Sequence, residues 1–231
     1  MKYQKAFAWC GPAFDVLYIL GWCVIAGLFP PQAATASGPE IAAFYGENTQ
    51  LIRAGLILAM ASCTLYVPWV VAISAQMQRI KNVSPLLVKA QNLSGTAGLI
   101  FFLLPVMVWL TATFRPDRDP ELILLINDLA WLMFTMTFAP FVCQLFVFAL
   151  AVLDDDSDKP LFPRWLAYFN FWVAFSFMPA VLIIYFKTGP FAWTGLIGLW
   201  IPLILFSVWV WVMFFLMCRA IDTDVDGARR A

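Results

Sequence analysis

The chain has 231 residues, 63% of them hydrophobic and only 12% charged, with a mean hydropathy of +0.83. Soluble domains carry about a quarter charged residues, so this composition excludes that class and points to an integral membrane protein. The 14 basic and 14 acidic residues balance, which leaves no pull toward nucleic acid, and the absence of histidine removes the usual haem and zinc ligand and the usual general base. No cofactor is expected.

In chain order, Lys2 and Lys5 precede an apolar run from Pro12 to Pro30 that is longer than the hydrophobic stretch of a cleavable signal, about 7–15 residues. It is read as a first transmembrane helix, 12–29. The segment 32–50 reads as a loop holding a short helix, since Ser37-Gly38-Pro39-Glu40 carries an N-cap, an early proline and a reciprocal glutamate. Further apolar runs at 51–75, 94–114, 120–153, 165–186 and 193–218 are each long enough to span. The fold class is therefore all-α: one domain, 1–231, forming a bundle of six transmembrane helices. The fourth run starts sharply, with Asp119 as N-cap, Pro120 as first helical residue and Glu121 at the positive end of the helix dipole. As one helix it would measure about 50 Å against a hydrocarbon core of about 30 Å.

Basic residues set the expected orientation. With the termini cytoplasmic, ten fall inside (Lys2, Lys5, Arg79, Lys81, Lys89, Lys159, Arg164, Arg219, Arg229, Arg230) and four outside (Arg53, Arg115, Arg118, Lys187). A cytoplasmic (inner) membrane with both termini on the cytoplasmic side is the expectation. Prolines 68, 105, 140, 179 and 202 fall one in each of helices two to six, where each removes a backbone bond and is expected to kink its helix. The five cysteines, one per apolar segment, read as small buried hydrophobes. Of the 11 tryptophans, Trp9, Trp131, Trp165 and Trp193 are assigned to the membrane interfaces and the rest to deeper packing.

The external side collects the polar candidates. Glu47, Asn48 and Arg53 precede or open the second helix, Arg115, Asp117 and Arg118 precede the fourth, Asn127 and Asp128 lie within it, and Lys187 precedes the sixth. Ionisable groups in apolar sequence are costly and are usually paired, so an Arg53–Asp128 pair is expected. Arg53, Arg115, Arg118, Asn127, Asp128 and Lys187 are the ligand-binding candidates, and Asp128 and Glu47 the candidate acids should the protein be an enzyme. Asp15 is assigned to the positive end of the first helix, without a functional role.

On the internal side, Asp154, Asp155 and Asp158 fit the pattern D-D-x-x-D, which resembles the magnesium-diphosphate motif of prenyl-transfer and terpene-cyclising enzymes and makes them the metal candidates. That motif lies within a cavity-lining helix, whereas this one follows a helix end and precedes Lys159-Pro160, so a solvated acidic loop is expected. Asp222, Asp224 and Asp226 with Gly227 match the start of an EF-hand loop, but the glutamate required at position twelve is missing.

Three functions follow, in order of preference. The first is a non-enzymatic protein that binds or passes a hydrophobic or amphipathic small molecule through an outward-facing aromatic vestibule. The second is a non-catalytic subunit or assembly factor whose partners are other membrane subunits. The third is a cofactor-free lipid isomerase or cyclase using a carboxylic acid. Membrane lipid surrounds the protein in each.

Overall fold

The computed structural model describes residues 3–230, with side chains to Thr223. All its elements are helical, and six of its helical runs are long and apolar enough to cross a membrane: Gln4–Ile25, Thr49–Met77, Pro85–Phe114, Pro120–Leu153, Trp165–Tyr185 and Leu196–Thr223. The chain is therefore a multi-pass membrane protein.

Each span is either interrupted or changes helix type along its length. The first is α1 (Gln4–Ile19) followed by a π turn, Leu20–Ile25; after α2 (Gly38–Glu47) in the connecting segment, the second comprises α3 (Thr49–Ser62), a 3₁₀ turn at Cys63–Leu65 and α4 (Tyr66–Met77). The third is α5 (Pro85–Ala97) and α6 (Leu99–Phe114); the fourth is α7 (Pro120–Met136) and α8 (Ala139–Leu153). The fifth is α9 (Trp165–Phe177) with 3₁₀ turns to Tyr185, and the sixth is a π turn at Leu196–Trp200 leading into α10 (Ile201–Arg230). Pro140 is the second residue of α8, after a break in the span, where the missing N–H has no intrahelical acceptor to lose; Pro179 and Pro202 fall one residue past the changes of helix type in the fifth and sixth spans. Pro105 lies inside α6, and the break in the third span falls at Gly98 instead.

Two sequence expectations change. The first helix begins at Gln4 rather than at residue 12, which carries Lys5 and Trp9 into it. The fourth span is interrupted at Thr137–Phe138, so its 34 residues do not form one unbroken helix.

Successive spans pack against each other and the sixth closes onto the first, forming a ring. Lys5 and Asp222, 2.5 Å apart, join the first and sixth spans at the end that carries both termini; we call this the terminal end and the other the far end. The ring is filled with aromatic side chains. Trp22, Trp69, Trp109, Trp131 and Trp209 are all fully buried, Trp131 among them, against its assignment to an interface. Trp22, Trp109, Trp131 and Phe134 stack from three different spans with ring centroids 4.8–6.3 Å apart. Such rings supply large buried area with few rotatable bonds, and their tilted and T-shaped contacts set ring edges against ring faces.

At the far end α2 folds over the bundle and packs on α7. Ser37 and Glu40 form a reciprocal cap, Glu40 accepting from the Ser37 amide at 2.7 Å and hydroxyl at 2.9 Å, which holds its carboxyl below the ordinary glutamate range. Ile41 and Tyr45 bury the inner face of α2, and the Tyr45 hydroxyl donates to Asn127 Oδ1 at 2.9 Å. Burial raises the Tyr45 phenol, so it serves here as a neutral donor.

Candidate ligand-binding site

Of the polar residues that the sequence assembles at the far end, Asn127, Asp128 and Lys187 lie near one another, whereas Arg53 is engaged elsewhere. Arg53 donates from its guanidinium to the Thr113 carbonyl and, at 3.4 Å, to the Thr113 hydroxyl, where it caps the end of α6. Among the described residues no ion pair joins it to Asp128. Asp128 is half-buried beside Asn127, within the electrostatic reach of Lys187. Asn127 itself is buried and held by Tyr45. Glu47, Arg115 and Lys187 are exposed and Arg118 is half-buried. The packed tryptophan cluster lies toward the far end of the ring.

The terminal-end acidic loop is built as a turn. Asp155 is buried and accepts from the Ser157 hydroxyl at 2.6 Å, the Ser157 amide at 3.1 Å and the Leu161 amide at 3.1 Å. Burial opposes its ionisation, but these donors and the Lys81 charge outweigh burial and hold the carboxyl below its ordinary value. Asp156 pairs with Lys81 at 3.3 Å, and Asp154 and Asp158 are exposed. Among the described residues no three acidic, cysteine or histidine side chains come together as metal ligands, so Asp154, Asp155 and Asp158 are not brought into one site. The side chains of Asp224 and Asp226 lie outside the described residues.

The remaining space in the ring lies deeper. A cavity of about 40 Å³ sits between the first, third, fourth, fifth and sixth spans. Its walls are Phe14, Tyr18, Phe102, Phe134, Phe177 and Phe206, and its polar lining residues are Asp15, Ser207 and Thr135. Ile19, Phe101, Leu203 and Ser207 are half-buried while the other lining residues are buried. Val16, Leu20 and Ile204, beside them on the first and sixth spans, are exposed, a surface suited to lipid.

Asp15 is the group that sequence reasoning missed. Because α1 starts at Gln4, Asp15 lies three turns into the helix, about 16 Å along its axis and so about half-way along the 22-residue first span. Its residue is 4% exposed. The Ser207 hydroxyl donates to its Oδ1 at 3.0 Å, and among the described residues no cation pairs with it. That donor comes from the sixth span, so no signal local to the first helix could have revealed it. The signal within reach was the lysine-bearing stretch before Pro12, which is apolar enough to extend the helix backwards.

The chain matches no family model, no curated protein and no solved structure.

Proposed function

We propose that this membrane protein binds an apolar or amphipathic small molecule taken laterally from the bilayer, in the aromatic cavity edged by Asp15 and Ser207. The observation that carries this reading is the combination of aromatic walls, half-buried lining residues next to the exposed apolar faces of the first and sixth spans, and a single buried carboxyl half-way along the first span. Small-molecule sites combine apolar walls with a few placed polar groups in this way, and an ionisable residue inside a membrane bundle marks such sites by default. At about 40 Å³ the cavity has room for about three water molecules, or for one end of a ligand whose chain lies against the exposed apolar faces of the first and sixth spans. Pro179 and Pro202, both at changes of helix type beside the cavity, bend the fifth and sixth spans around it. The excess of lysine and arginine at the terminal end supports an orientation with both termini cytoplasmic.

The test is photolabelling of the purified protein in nanodiscs with a long-chain alcohol carrying a diazirine. Saturable labelling of residues 14–19 and 199–207 is expected. Ala180→Val, which adds two methyl groups inside the cavity, should lower the apparent affinity about tenfold, whereas Leu203→Ala, which widens the rim, should not. Labelling confined to the exposed faces, with no saturation, would remove the proposal.

A second reading, a subunit of a larger membrane complex, draws on the fifth span. Trp165, Tyr168, Trp172 and Phe175 form an exposed aromatic stripe at helical spacing along one face of α9. Native mass spectrometry at natural expression level separates the readings, since a monomer with no companion chain leaves only the first.

A further inference from the structure

The cavity also specifies the charge of what it takes. This inference rests on the binding reading above and deepens it: we infer that the ligand is a lipophilic cation, an ammonium head on an apolar body, with Asp15 as its counter-ion and Phe14, Tyr18, Phe102 and Phe206 as its cage.

Three observations carry it. The first is a charge imbalance. Asp15 is buried half-way along the first span, and no lysine or arginine lines the cavity. The nearest basic residue on its own helix, Lys5, is engaged with Asp222 at the terminal end. A carboxylate in a membrane interior is costly without a partner, and among the described residues the protein supplies only a neutral donor, the Ser207 hydroxyl. The missing partner is positive.

The second is acceptor capacity. An ionised carboxylate offers about four lone-pair sites. The Ser207 hydroxyl occupies one, which leaves accepting positions for a further donor. Ser207 is half-buried in the cavity lining, so its bond to Oδ1 holds the carboxyl in that lining instead of drawing it into the helix packing.

The third is the ring set. The centroids of Phe14 and Phe102 lie 4.9 Å apart, Tyr18 and Phe102 5.2 Å, Phe102 and Phe206 5.1 Å and Phe14 and Phe206 6.4 Å, all within the cavity lining. These rings meet one another at tilted to edge-on angles, and the face of an aromatic ring is the negative part of its quadrupole, so a ring face left toward the cavity favours a cation, more strongly where water is excluded. The Tyr18 hydroxyl is already engaged, donating to the Phe102 carbonyl at 3.2 Å. An anionic head would meet Asp15 and the ring faces with repulsion from both, and a neutral head would leave the carboxylate without its counter-charge.

The experiment displaces the diazirine alcohol with three matched competitors: decyltrimethylammonium, the uncharged isostere with carbon in place of nitrogen, and decyl sulfonate. In the wild type the cation should displace the label at a concentration at least about tenfold below the isostere, and the sulfonate should be weakest. In Asp15→Asn the preference for the cation should fall to about one while the neutral isostere keeps its potency, which also reports an intact cavity. In Ser207→Ala the preference should persist, because the counter-charge remains. Equal potency of the cation and its isostere in the wild type overturns the inference and leaves the cavity-binding reading standing. An unsaturable label removes the binding reading itself, so the two failures are distinct.

Discussion

The contact between the first and second spans is backbone against backbone, and it gives the most exacting test of the packing. Gly21, in the π turn of the first span, faces Gly55 and Ala59 of α3, a small-xxx-small pair one turn apart. A methyl group at position 21 would lie 2.5 Å from the Gly55 carbonyl oxygen, 2.8 Å from the Ala59 nitrogen and 3.3 Å from the Ala59 Cα. Ordinary contacts between such atoms are about 3.5 Å, so Gly21→Ala pushes the two helices about 1 Å apart. All three obstacles are main-chain atoms, so no rotamer change relieves them. A gap of that size forfeits a quarter to a half of each dispersion contact across the seam, which places the cost in the upper part of the range of about 1–3 kcal/mol for overpacking. For a chain of this length that corresponds to a fall in melting temperature of about 5–10 °C. The assay is thermal unfolding in detergent, followed by a fluorogenic maleimide on buried Cys63 after the other four cysteines are replaced. Gly46→Ala is the control: no atom lies within 4 Å of the added methyl, so removing a helical glycine should leave stability unchanged or raise it by up to about 1 kcal/mol. A Gly21→Ala protein that melts within about 2 °C of the wild type would refute the close-packed seam.

Asn170→Ala strands the Trp209 indole, which donates to Asn170 Oδ1 at 2.9 Å in a fully buried setting, and should cost about 1–3 kcal/mol. A double-mutant cycle with Trp209→Phe should show a coupling of about 0.6–1.7 kcal/mol, and strict additivity would count against the bond. Tyr45→Phe leaves the buried Asn127 carbonyl without its donor and should loosen α2 from α7, read as faster hydrogen exchange over residues 38–47 with the spans unaffected. Asp155 has a folded-state pKa below its unfolded value, so its contribution to the loop is complete above about pH 4 and is lost as the pH falls through the folded value. Protection of the Leu161 amide from exchange should follow that acid transition in the wild type, whereas in Asp155→Asn it should be weaker at neutral pH and insensitive to acid in this range.

The spans were legible because six apolar runs of sufficient length permit few other folds, and the caps because their chemistry is local. Ser37 with Glu40, and Asp119 accepting from the Glu121 amide at 2.9 Å, involve residues at most three apart. The polar pairings depend instead on how helices rotate against each other. Arg53 and Asp128 are both ionisable and both near the far end, but rotation turns Arg53 toward Thr113, sixty residues away, where the exposed carbonyls at the end of α6 need donors. Trp131 was misplaced for a related reason. Counting from the charged turn puts it near an interface, but α7 carries it along the inner face of the ring, to where Trp22 and Trp109 converge.

The same reasoning explains why the candidate site was hidden. Whether an aspartate is an interfacial cap or a membrane-interior charge depends on where its helix starts, and eight residues, Gln4 to Gly11, separate those outcomes for Asp15. Within those residues Gly11 packs on the Trp69 ring and Ala8 is fully buried, so the stretch is held in the bundle by contact with the second span, although its own sequence contains Gln4 and Lys5. Tertiary packing thus extends α1, the extension carries Asp15 half-way along the first span, and that position puts it level with Ser207, 192 residues further on. A substitution that disrupts the Gly11–Trp69 contact should accordingly disturb ligand binding at Asp15 without touching the cavity. Gly11→Leu, which places its side chain on the Trp69 ring, should weaken cation displacement in the competition assay while Leu203→Ala does not. Unchanged displacement in Gly11→Leu would mean that Asp15 holds its position independently of the start of α1, and the link from helix start to site would fail.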